Sequence, residues 1–210
     1  MAECKATAIA RKLKKSAGEQ TFCQRKGKTI AKMKIDENKS NTLPQQKQRA
    51  RWKTLSELEA LFDTVSIVGF PGRPRNLTYH NAFMQANLDA VSVDDELKTS
   101  VDYAKVLCAK GRLTVPVTTV TYDANARQLS FVHQAERKGR NKQESDMLYA
   151  AVAEKALGET ELAELNRRGD SDPATFTLPE GWSKDELEVY VFMLSENGRK
   201  ASDSKHLELA

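Results

Sequence analysis

The residue types that could do chemistry in this 210-residue sequence are few and scattered. His80, His133 and His206 fall in three separate stretches, and none stands at metal-ligand spacing from a cysteine or another histidine. Cys4, Cys23 and Cys108 form an odd, widely spaced set. That is neither a disulfide framework nor a zinc site, and it fits a reducing, cytoplasmic setting. Gly27-Lys28-Thr29 imitates the end of a phosphate-binding loop. That motif needs another glycine five positions before Gly27, where Phe22 stands, and a helix after it. There is no nucleophile elbow, no H-E-x-x-H and no glycine-rich dinucleotide loop. Scattered Asp and Glu side chains could converge in space, but solvated surface is their ordinary role. The expectation is therefore a protein that is not an enzyme, with no catalytic residue, cofactor or metal.

Charge is the stronger signal. Residues 1–53 hold 15 Lys/Arg against 4 Asp/Glu, a balance of +11, while residues 54–210 hold 18 against 25, a balance of −7. A basic front of this size attracts a polyanion or an acidic surface at long range. The residues expected to make such contacts are Lys12, Lys14, Lys15, Arg25, Lys26, Lys28, Lys32, Lys34, Arg49, Arg51 and Lys53. Three occupants stay open at this point: DNA or RNA held non-specifically, an acidic partner protein, and the acidic back of a second copy. A solubilising tail is the plain alternative. Aromatic residues are sparse here, Phe22 and Trp52 only, which argues against a platform stacking single-stranded bases.

These residues must be positioned by an α+β chain in three parts. Residues 1–19 form a basic arm, a short helix or flexible, with little apolar surface to pack. Residues 20–100 hold a β-hairpin and a helical region. Within the hairpin, residues 20–35, the period of 2 sets Ile30, Lys32 and Lys34 against Thr29, Ala31, Met33 and Ile35, so lysines share one face and apolar groups the other. A long helix is predicted over residues 42–69. Thr42 and Gln45 give a capping box, Arg51, Leu55, Leu58, Phe62 and Val65 a stripe, and Gly69 and Pro71 a stop. At ~1.5 Å per residue it would be roughly 40 Å long. Lys47 and Arg51 extend the stripe while Arg49 and Lys53 lie nearly opposite, forming a collar rather than the one-sided reader of a DNA-recognition helix. Arg51 is expected to lay its stem on apolar neighbours and reach a carboxylate.

A second helix is predicted over residues 77–90, capped by Asn76, and the acidic stretch 92–100 is taken as a domain boundary. Residues 101–210 break into about seven short β-branched and aromatic runs, with Asn197-Gly198 as a hairpin turn. That spacing predicts an immunoglobulin- or fibronectin-like β-sandwich, with residues 159–168 as a helical or looped insertion and Trp182 as a core aromatic. No run is long and apolar enough to span a membrane, and no export signal is read at the start.

Gly27-Lys28 followed by alternating apolar and basic residues, then Thr42, Gln45, Gln48 and Arg49, resembles an uncharacterised bacterial and phage-associated family, domain of unknown function 6266. The resemblance continues through Asn81-Ala82-Phe83, residues 103–113 and the LPEGW and LEVYVFMLSENGRKASDS stretches, so it covers most of residues 20–207. It implies a hairpin, a helical middle and a C-terminal β-sandwich, and it carries no assigned activity. The expected role is a structural or assembly protein, phage- or mobile-element-encoded and cytoplasmic or built into a virion. Non-specific nucleic-acid binding through the arm and hairpin is the alternative.

Overall fold

The computed structural model describes residues 2–4, 15–25, 28–35, 37 and 40–209. They form an α+β protein of two compact units, Met1–Thr42 and Leu43–Ala210. In the first unit the expected hairpin is present as β3 (Gln20–Arg25) and β4 (Lys28–Met33), in register from Gln20 opposite Met33 to Arg25 opposite Lys28. The arm is not wholly unstructured or helical. It contributes β1 (Ala2–Cys4) beside β4 and β2 (Lys15–Ala17) beside β3, giving the order β1-β4-β3-β2. Extended segments that could not bury themselves alone satisfy their backbone groups on the two hairpin edges.

The second unit opens with α1 (Leu43–Leu61) and α2 (Asp63–Gly69), so the long predicted helix is in fact broken at Phe62. There φ is −103° and ψ 17°, and the Phe62 amide is shared between the Leu58 and Glu59 carbonyls. Fully buried Phe62 stacks on Phe83 at 6.1 Å and meets Tyr190 edge-on at 5.4 Å, so the core fixes this ring and the backbone bends to deliver it. The next helix, α3 (Tyr79–Ala86), starts later than predicted and is capped by Thr78, not Asn76. Thr78 is extended, and its hydroxyl accepts from the Asn81 amide. The acidic stretch 92–100 lies inside this unit as the hairpin of β5 (Val91–Val93) and β6 (Thr99–Val101), with β5 packed on α1.

Seven further strands make two antiparallel sheets. One is β10-β9-β12-β13, from β9 (Met147–Glu154), β10 (Glu159–Arg167), β12 (Leu187–Leu194) and β13 (Lys205–Leu207). The other is β11-β8-β7, from β7 (Thr118–Asp123), β8 (Gln128–His133) and β11 (Ala174–Thr177). Side-chain alternation splits the central strands between two cores. Leu148, Ala150, Val152, Val189, Val191 and Met193 cluster with Val120, Leu129 and Phe131 of the second sheet. Ala151, Ala153, Tyr190 and Phe192 instead join Leu58, Phe62, Val65 and Phe83 of the helices. Covered on both faces, β9 and β12 read as continuous apolar runs rather than alternating ones. Trp182 is buried as expected, its indole N–H on Glu159 Oε2 at 3.0 Å.

Two expectations fail in this region. Residues 159–167 are an edge strand of nine residues, whose acidic side chains sit on a half-exposed face beside β9, so the helix-favouring composition yields to the pairing. Residues 102–109 are not a strand. After β6 there is one 3-10 turn, Tyr103–Lys105, and then an irregular run.

Candidate functional site

That irregular run is held to its neighbours by a series of hydrogen bonds. Buried Asn87, at the end of α3, donates from Nδ2 to the Phe83 and Leu107 carbonyls at 3.0 and 2.9 Å and accepts the Leu107 amide at 2.7 Å. The Lys110 amide reaches the Gly69 carbonyl at 2.9 Å, the Gly111 amide Asp203 Oδ1 at 3.0 Å, and the Leu113 amide the Ala201 carbonyl at 3.0 Å. Gly69 and Gly111 permit these approaches. A Cβ on Gly69 would lie 2.3 Å from the Cys108 carbonyl oxygen, and one on Gly111 would lie 1.9 Å from that of Ala201. Burial among these neighbours pushes the Cys108 thiol up to about 12.

A groove of about 800 Å³ opens where this loop meets the turn after α2 and the turn after β12. Its floor is apolar, from Phe70, Leu77, Ala82 and Ala86. Its rim carries Arg73, Lys110, Arg112, Arg199 and Lys200, all exposed, together with one exposed carboxylate, Asp203. None of these five makes an ion pair with a carboxylate among the described residues. Arg73 is held by a bond from Nη1 to the Phe70 carbonyl at 3.0 Å. Arg199 and Lys200 are set by the expected turn: Gly198 has φ +67°, its amide bonds Ser195, and Asn197 Oδ1 accepts the Arg199 amide. Arg112 and Lys200 also border an adjoining depression of about 600 Å³ with Lys142.

Beside it lies a buried ionic clasp. Arg168, wholly enclosed, donates to Glu136 Oε2 at 2.6 Å and to the Thr114 carbonyl at 2.5 Å, with Asp146 Oδ2 3.6 Å from its Nε. Burial raises the Glu136 carboxyl, and the bond from Arg168 with the charge of Lys142 outweighs it and holds the group below its ordinary value.

The residues expected from sequence divide between the two units. Lys12, Lys14 and Lys26 lie outside the described residues. In the first unit Lys15, Lys28, Lys32 and Lys34 are exposed side chains on or beside the sheet, and Arg25 ends β3 opposite Lys28. The apolar face expected behind the lysines is only partly buried. Thr29 is enclosed, whereas Met33 is 73% exposed and Ile35 76%. In the second unit Arg49 and Lys53 are exposed on α1, Lys53 with Glu57 at 3.9 Å. Arg51 lies half-buried as its stripe position implied, but it pairs with no carboxylate among the described residues, and its Nε is enclosed without a hydrogen-bond partner there. None of the groove's cations was among the expected contacts, although Arg199 and Lys200 directly follow the expected Asn197-Gly198 turn. The rim residues sit in three separate connections, and only folding brings them together.

The histidines are occupied by neighbours. Nδ1 of His80 meets buried Glu59 at 2.6 Å, Nε2 of His206 meets Glu188 at 2.7 Å, and His133 bonds the Arg167 carbonyl. Among the described residues no three His, Cys, Asp or Glu side chains group as a metal site, and no helix is long and apolar enough to cross a membrane.

The model of the Family of unknown function (DUF6266) matches residues 14–208. No curated protein and no solved structure matches the chain.

Proposed function

We propose that this chain, which belongs to the Family of unknown function (DUF6266) across residues 14–208, is a non-enzymatic assembly protein that docks on an acidic protein surface through its basic N-terminal sheet. The observation that carries this is the mixture at the end of β4 and just beyond it. Lys32 and Lys34 are exposed beside Met33 and Ile35, which are exposed to 73% and 76%. A phosphate backbone is held by cations and hydrogen-bond donors, whereas a protein partner also covers apolar side chains. The two sheets of the second unit, meeting through alternate residues of β7, β8, β9 and β12, support an immunoglobulin- or fibronectin-type β-sandwich as the body being positioned. A virion or the bacterial cytoplasm is the setting this proposal takes.

The test titrates the full chain with polyglutamate, a Glu-Leu copolymer and a short duplex DNA. The expected order is copolymer first, with binding weakened by Lys32→Glu/Lys34→Glu and, for the copolymer alone, by Met33→Asn/Ile35→Asn. Tightest binding to DNA with a steep salt dependence would transfer the sheet to nucleic acid. Indifference to both double variants would remove the reading altogether.

A further inference from the structure

The cationic groove of the second unit is a different surface from the N-terminal sheet, and the same unit carries a segment of opposite charge. Residues 94–97, between β5 and β6, read Asp-Asp-Glu-Leu. Asp94 Oδ1 accepts the amides of Glu96 and Lys98 at 2.9 and 2.8 Å, so the tip is held in one shape. Asp95 is paired with Lys47 yet its side chain remains 87% exposed, and Glu96 has no ionic partner among the described residues. Leu97 stands at φ +66°, a conformation that branched and bulky residues rarely adopt, with its side chain reaching solvent. Glycine would occupy that position without strain.

We propose that the groove bounded by Arg73, Lys110, Arg112, Arg199 and Lys200 receives the acidic hairpin tip, residues 94–97, of a second copy of this chain. The three carboxylates meet the five rim cations, which make no ion pair among the described residues and outnumber the one rim carboxylate, Asp203, and Leu97 enters the floor of Phe70, Leu77, Ala82 and Ala86. A volume of about 800 Å³ is in the range that takes a drug-sized molecule, and so the side chains of one turn. Tip and groove are different surfaces, so the contact is head-to-tail and propagates into a ring or an open row of copies. This rests on the assembly reading and adds to it a second contact, between copies of the chain.

The probe is a labelled peptide of residues 92–100, cyclised to keep the turn, added to the full chain while anisotropy is followed. Binding is expected to weaken steadily with salt and to fall roughly tenfold or more for a Leu97→Gly peptide, the loss of one buried leucine. Arg112→Glu/Lys200→Glu should abolish it, whereas Lys32→Glu/Lys34→Glu should leave it unchanged, so a failure of the N-terminal reading is separable from a failure here. Light scattering then follows association of intact chains. Asp95→Lys/Glu96→Lys alone and Arg112→Glu/Lys200→Glu alone should each stay monomeric, and the two mixed should pair. Equal peptide binding by wild type and the groove variant, or a mixture that stays monomeric, overturns the proposal.

Discussion

Asn87 and Leu107 are joined by two hydrogen bonds, amide N–H to carbonyl and side-chain N–H to backbone carbonyl, as if the asparagine were one more residue of a strand. This side chain, fully enclosed, couples the end of α3 to the loop that carries Lys110 and Arg112.

Replacing it tests whether the loop depends on that clamp. Asn87→Leu fills a similar volume but leaves the Leu107 amide and carbonyl without these partners. The expected loss is about 1–3 kcal/mol per buried group left unsatisfied. Urea denaturation measures it, and an unchanged midpoint would show that other bonds suffice.

The clasp around Arg168 makes a second prediction. Arg168→Met removes a buried cation whose carboxylate neighbours, Glu136 and Asp146, stay behind. Breaking a buried pair from one side costs about 3–5 kcal/mol, and the thermal midpoint should drop accordingly. The further change to Glu136→Leu/Asp146→Leu should recover part of the loss; no recovery would mean that the arginine matters for packing alone.

Acid should expose the same clasp. The Glu136 carboxyl is held below its ordinary 4.5 in the fold, so its contribution is complete above that value. The contribution fades as pH falls through the lower, folded value. The stability difference between wild type and Glu136→Gln should thus be constant near neutrality and shrink in acid. A difference that persists unchanged into strong acid would show that the carboxylate's charge is not what the clasp uses.

How much of this was legible depended on whether a residue's role was local. LEVYVFML announced β12, and Asn197-Gly198 its following turn, because period, β-branching and turn chemistry are short-range properties. The acidic ETELAELNR did not announce β10, since its pairing with β9 is set from outside the segment. The break at Phe62 was hidden because the apolar stripe continues across it into Val65. The run after Tyr103 looked like a strand because it is apolar, but its backbone groups go to Asn87, Gly69, Asp203, Ala201 and Ser204, partners that no period encodes. For the same reason the groove was invisible: Arg73, Arg112 and Lys200 sit in three distant connections, each an ordinary surface cation by itself.

The central sheet has one more implication, for how the chain comes apart. Because Ala151, Ala153, Tyr190 and Phe192 face the helices and Val152, Val189, Val191 and Met193 face the other sheet, no wet side exists along β9 and β12. Their amides should be the last to trade protons for deuterium, opening only with global unfolding. Cutting the chain before residue 101 would strip one face of that sheet bare, so the C-terminal strands should aggregate when expressed without α1 to α3. The helices and the sheets of residues 43–210 thus form a single heritable piece.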